Sequence, residues 1–133
     1  MKSIFLITLT TVVLSAADGY TLYKNNCMKC HAEMMTKAEV MKSFGTLKAP
    51  PMVEVSNRLK ANIRIMDEDK DVKRRVVIAF IDYIDNPSIQ YSMCEPMALE
   101  KFGVMPSLKG KLNNEQKEAI ASWVYDRYDG KTF

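Results

Sequence analysis

Cys27-Met28-Lys29-Cys30-His31 is the stretch that decides how this chain folds. On a helix, positions 27, 30 and 31 stand at i, i+3 and i+4, so the two thiols and the imidazole share one face. Thiols at that spacing can add to the two vinyl groups of a haem while the imidazole reaches the iron. C-x-x-C-H is the sequence form of c-type haem attachment. Two other chemistries use similar residues. A thioredoxin-like redox pair needs strand–helix alternation around it, and none surrounds this motif. A zinc site needs a fourth ligand, and the chain has three cysteines and one histidine, leaving only Cys94 as a further thiol.

His31 is the only histidine, so the sixth position on an iron held by it cannot be a second histidine. Methionine, water or a less usual group such as lysine remain. A thioether opposite histidine gives a six-coordinate iron with a raised reduction potential, suited to electron transfer. Of the ten methionines, most are core filling. Met28, Met34 and Met35 are too close to His31 in sequence to reach the opposite haem face easily. Met93, Met97 and Met105 are distant enough. Met97 follows Pro96 in an expected helix and reads as packing. Met105 lies between Gly103 and Pro106, in a loop from which a side chain can project.

The 133-residue length fits one domain, and 47% hydrophobic with 26% charged residues is ordinary for a folded chain. The first 17 residues read separately, as a secretory signal peptide. Lys2 supplies a positive start, residues 4–14 an apolar run, and Ser15-Ala16-Ala17 the small residues of a cleavage site before Asp18. A retained anchor is the competing reading. The run is short of the roughly 20 apolar residues that span a bilayer comfortably. No other segment is apolar enough to cross, so no stable membrane span is expected after cleavage. The expected location is the periplasm, which suits haem attachment of this kind, since it takes place outside the cytoplasm. The formal net charge of +3 is too weak for a nucleic-acid binder, which needs a dense basic surface.

Residues 18–133 read as all-α. Asp18 caps a first helix running towards His31. Thr36-Lys37-Ala38-Glu39 has capping-box spacing, with Gly45 placed to end that helix. Pro51 stands where another can begin, followed by Val55 and Leu59. Asp67-Glu68-Asp69-Lys70-Asp71 suits a helix N-terminus. Val72, Val76, Phe80 and Ile84 form that helix's apolar stripe, and Asn86-Pro87 stops it. The basic residues Lys73, Arg74 and Arg75 read as its solvated face. Pro96 opens a short helix ending near Phe102-Gly103. Asn113 or Asn114 caps a last helix with Ile120, Trp123, Val124 and Tyr128 on one side.

These residues resemble class I cytochrome c, the small all-helical monohaem electron carriers. The resemblance covers most of 18–133 and is least constrained in its middle. Gly19-x-x-x-Tyr23 is similar to the family's N-terminal helix, whose glycine permits close crossing by the C-terminal helix. The matching last helix, residues 113–128, places Ile120 and Trp123 at that crossing. Phe102-Gly103-Val104-Met105-Pro106 looks like the axial-methionine loop. The resemblance implies one covalent haem c on Cys27 and Cys30, with His31 and Met105 as axial ligands. It also implies a proline carbonyl against the proximal imidazole, from Ala49-Pro50-Pro51, with Pro50 preferred. Residues 52–94 do not map onto a minimal member of the family and are expected to add helical cover over one haem edge. Cys94 has no intrachain partner. It reads as a small buried apolar residue, or as a link between chains or a modulator of the pocket.

The expected function is one-electron transfer between redox partner proteins rather than catalysis. A basic rim of Lys24, Lys29, Lys101, Lys109 and Lys111 can steer an acidic partner, or can be scattered solvated lysines. A haem enzyme or gas-binding protein would need a labile sixth ligand. A thiol or copper-handling protein would use the three cysteines and the methionines. A cytochrome subunit of a larger oxidoreductase is a further alternative.

Overall fold

Four of the helices open on a side chain that accepts otherwise orphaned backbone N–H groups. These are seen in a computed structural model, which describes residues 18–66 and 71–133. Asp18 accepts from Tyr20 N and Thr21 N to start α1, Gly19–Asn26. Thr36 and Glu39 form a reciprocal capping box at the start of α2, Lys37–Ser43. Asp71 accepts from Arg74 N to open α4, Val72–Asp85. Asn113 and Gln116 make the second capping box, at the start of α6, Asn114–Arg127. Between them, α3 spans Met52–Met66 directly after Pro51, and α5 spans Pro96–Phe102 with Pro96 in its first turn. Among the described residues there are six helices and no strand. The signal-peptide reading and residues 67–70 of the acidic run lie outside the described residues.

The first and last helices cross at Gly19. A Cβ built there would fall on the Ala119 carbonyl oxygen and 2.6 Å from the Trp123 Cβ. Only a residue without a side chain allows that approach. The crossing therefore uses Trp123, as expected, and brings the Ala119 backbone closest to Gly19. Ile120 is one position further round α6 and is completely buried in the core. Beside the crossing, Trp123 stacks on Tyr23 at a centroid distance of 4.8 Å and meets Tyr128 edge-on at 6.1 Å.

Packing of α4 along α6, and of α3 against both, completes the core. Val76, Phe80 and Ile84 of the α4 stripe are buried, and Val72 packs on the cluster from its margin. Residues 52–85 thus supply two long helices, where a minimal relative was expected to be simpler. On α6 the buried set Lys117, Ile120, Ala121 and Val124 stands at i, i+3, i+4 and i+7, a single stripe turned to the core. Lys73 pairs with Asp126 at 2.7 Å on the exposed side. No helix among the described residues is long and apolar enough to cross a membrane.

Candidate haem-attachment site

The motif does not continue α1. The helix ends at Asn26, and residues 27–30 form a turn. Three bonds explain the break. The Tyr23 carbonyl accepts both Cys27 N–H at 2.7 Å and Met28 N–H at 3.1 Å, and the Asn26 side chain caps the Leu22 carbonyl at 2.8 Å. With its last carbonyls satisfied this way, α1 stops. The Cys27 carbonyl then accepts Cys30 N–H at 3.1 Å and His31 N–H at 2.9 Å. That single acceptor ties together the backbone of the three residues which a continuous helix was expected to align.

Cys27 is half-buried and packs on the core with Met28, while Cys30 is exposed. Burial pushes the Cys27 thiol up to about 11, with the neighbouring Cys30 adding to the shift, so it is neutral at ordinary pH. Burial lowers the His31 pKa, against the opposing effect of its bond to Pro50. His31 Nδ1 lies 2.7 Å from the Pro50 carbonyl oxygen. A carbonyl only accepts, so the ring proton is on Nδ1 and Nε2 keeps its lone pair.

Pro50 is held by its surroundings. The next peptide but one is tied back to the motif by Met52 N–H donating to the Ala32 carbonyl at 2.7 Å. Ala49, Pro51, Met52 and Val53 are buried on either side. Pro51 fills the core at the start of α3, and the carbonyl that meets the imidazole is that of Pro50.

Two tyrosines hold the backbone that leaves the motif. Tyr23 Oη donates to the His31 carbonyl at 2.7 Å, and Tyr128 Oη donates to the Glu33 carbonyl at 2.8 Å. Both rings are fully buried, and burial raises both phenol pKa values, keeping them as donors. Arg127 Nε adds a bond to Glu33 Oε1 at 2.9 Å. In the sequence, Tyr23 is visible as part of the first-helix pattern. Nothing local marks Tyr128 or Glu33 as members of the same cluster.

Met105 belongs to a separate segment. Gly103 ends α5 with φ 66°, its N–H donating to the Leu99 carbonyl at 2.9 Å. Met105 is half-buried and packs against the core cluster together with Leu108. Cys94 is half-buried, its N–H donating to Ser92 Oγ at 3.2 Å. The five expected rim lysines are all exposed. Among the described residues, no three His, Cys, Asp or Glu side chains are gathered to hold a metal ion.

The donor set fits a c-type haem: two thiols and an imidazole with a free Nε2 come from one tight turn, and the imidazole's other nitrogen is fixed. The helical frame and this turn define a small c-type cytochrome, a haem-binding electron-transfer protein. Residues 14–124 match the family described as cytochrome c oxidase, cbb3-type, subunit III, and the chain belongs to that family. An uncharacterized protein from Aquifex aeolicus (strain VF5) is 38% identical over 119 residues, covering 83% of this chain and 73% of the relative. No solved structure matches the chain.

Proposed function

We propose that this cytochrome is an exported one-electron carrier with a single haem, joined through Cys27 and Cys30 and ligated by His31 and Met105. The observation that carries the reading is the 2.7 Å contact between His31 Nδ1 and the Pro50 carbonyl within the C-x-x-C-H turn. When bound, the haem supplies an iron that cycles between Fe(III) and Fe(II) with no bond made or broken. The chain's own part is to hold ligands still. The Pro50 carbonyl fixes the imidazole plane and raises its basicity. Tyr23 fixes the peptide from which that imidazole hangs. Met105 in the sixth position would leave no open coordination site, which favours electron transfer over substrate chemistry. Export rests on Lys2, the apolar run at 4–14 and Ser15-Ala16-Ala17.

The family's description supports a second arrangement, in which the same carrier works as a subunit of a larger oxidoreductase. A visible spectrum and redox titration of the purified holoprotein test the central reading. A haem that resists acid-acetone extraction and a reduced protein that binds carbon monoxide slowly are expected. Extractable haem, or rapid carbon monoxide binding without denaturant, would replace this reading with a non-covalent or open-site one. Co-purification from native membranes with other redox subunits would favour the second arrangement.

A further inference from the structure

Three segments meet at the carboxyl end of α4. Ser107 Oγ donates to the Asp85 carbonyl at 2.6 Å, and Leu108 N–H donates to the Ile84 carbonyl at 2.8 Å. Both acceptors lie in the last turn of a helix, where carbonyls lack intrahelical partners. Ser107 Oγ also accepts the Lys109 N–H at 3.1 Å. The Asp85 side chain turns the other way, to α6. Its Oδ2 is 2.5 Å from Lys117 Nζ, with the two side chains 17% and 8% exposed. Asp85 Oδ1 is enclosed and makes no hydrogen bond among the described residues, and Lys117 pairs with the other oxygen of that carboxylate.

Ser107 follows Met105 by two residues, and Pro106 between them has a fixed φ. On the other side Gly103 is bonded into the end of α5. Met105 is therefore slung between two anchored points. One of them leads through Asp85 and Lys117 to α6, the helix that also packs on α1 beside the attachment turn.

We propose that Ser107, Asp85 and Lys117 are positioning residues that latch the Met105 segment shut and so set how readily an outside ligand replaces Met105 on the iron. The proposal rests on Met105 being the axial ligand. Releasing the segment breaks the Ser107 and Leu108 bonds together, and each hydrogen bond of this kind holds the closed form by a factor of about five. Local opening of this sort is separate from global unfolding.

The test uses the oxidised holoprotein and imidazole as the entering ligand, followed by stopped-flow absorbance. Hydrogen exchange at the Leu108 amide and the guanidinium unfolding midpoint are read in parallel. Ser107→Ala is expected to speed imidazole binding and Leu108 exchange by about fivefold each, with Ser107→Thr restoring both. Lys117→Met strands a buried carboxylate and is expected to act in the same direction. Should that variant not fold, Asp85→Asn combined with Lys117→Met removes both charges together. A Ser107→Ala protein that binds imidazole at the wild-type rate, or shifts only the unfolding midpoint, overturns the latch. Met105→Ala separates the two ideas. If it leaves the methionine–iron charge-transfer band intact, the axial reading fails and takes the latch with it. If it abolishes the band while Ser107→Ala changes neither rate, only the latch fails.

Discussion

The Tyr23 hydroxyl donates to the carbonyl of His31, eight residues ahead, at 2.7 Å. This bond holds the backbone of His31, while Pro50 holds its ring. Tyr23→Phe keeps the ring and its stack on Trp123 but leaves a part-buried carbonyl without its donor. The expected loss is about 1–2 kcal/mol of stability, measured by guanidinium unfolding of the holoprotein. An unchanged midpoint would mean that water or another donor replaces the hydroxyl without cost.

Gly19→Ala gives a larger effect with the opposite local preference. Alanine is the better helix former by about 1 kcal/mol. Its Cβ, however, would land on the backbone oxygen of Ala119, and backbone cannot step aside as a flexible side chain can. A net destabilisation of about 2 kcal/mol or more is expected, within the range for overpacked contacts, accompanied by a lower melting temperature. A stabilised variant would show that α1 and α6 do not cross at this position.

Met105→Ala is expected to abolish the charge-transfer band of a methionine–iron bond and lower the reduction potential, because a thioether ligand opposite histidine raises it. Absorbance and potentiometry on the same sample decide the matter. Met93→Ala and Met97→Ala are the informative comparisons and are expected to leave both properties in place.

The capping box at α2 makes a pH prediction. Hydrogen bonds from the Thr36 backbone and then its side chain hold the Glu39 carboxyl below its ordinary value of 4.5. A carboxyl with a depressed folded pKa contributes stability that is present above its unfolded value and lost as pH falls through the folded one. Fraying of α2 is therefore expected on acidification below about 4.5. Thr36→Ala should move the Glu39 titration, followed by carboxyl NMR, back towards the ordinary value and cost about 1 kcal/mol of stability. A Glu39 curve identical in both proteins would contradict the box.

Much of this architecture is written locally. Asp18, Thr36 and Asn113 announce helix starts because a cap and its N–H donors lie within three residues of each other. Pro96 and Asn86-Pro87 mark boundaries for equally local reasons. The attachment turn is legible as chemistry but not as shape. Its five residues suit a helix, and only the double use of the Tyr23 carbonyl ends α1 before them. The close approach of the Ala119 backbone to Gly19 is a property of the assembled bundle that no local pattern marks. Lys117 is the clearest case of what a single sequence conceals. A lysine on a helix rich in charged residues reads as solvated, and its burial against Asp85 depends on a partner 32 residues away.

The junction of first and last helices also ties the stability of one to the presence of the other. With only eight residues, α1 is too short to persist as a helix by itself. It becomes stable when α6 packs over Gly19 and Tyr23. Without that cover, the segment bearing Cys27 and Cys30 loses the helix that leads into it. The first and last helices therefore form one cooperative unit, and a substitution in α6 reaches the attachment turn through α1.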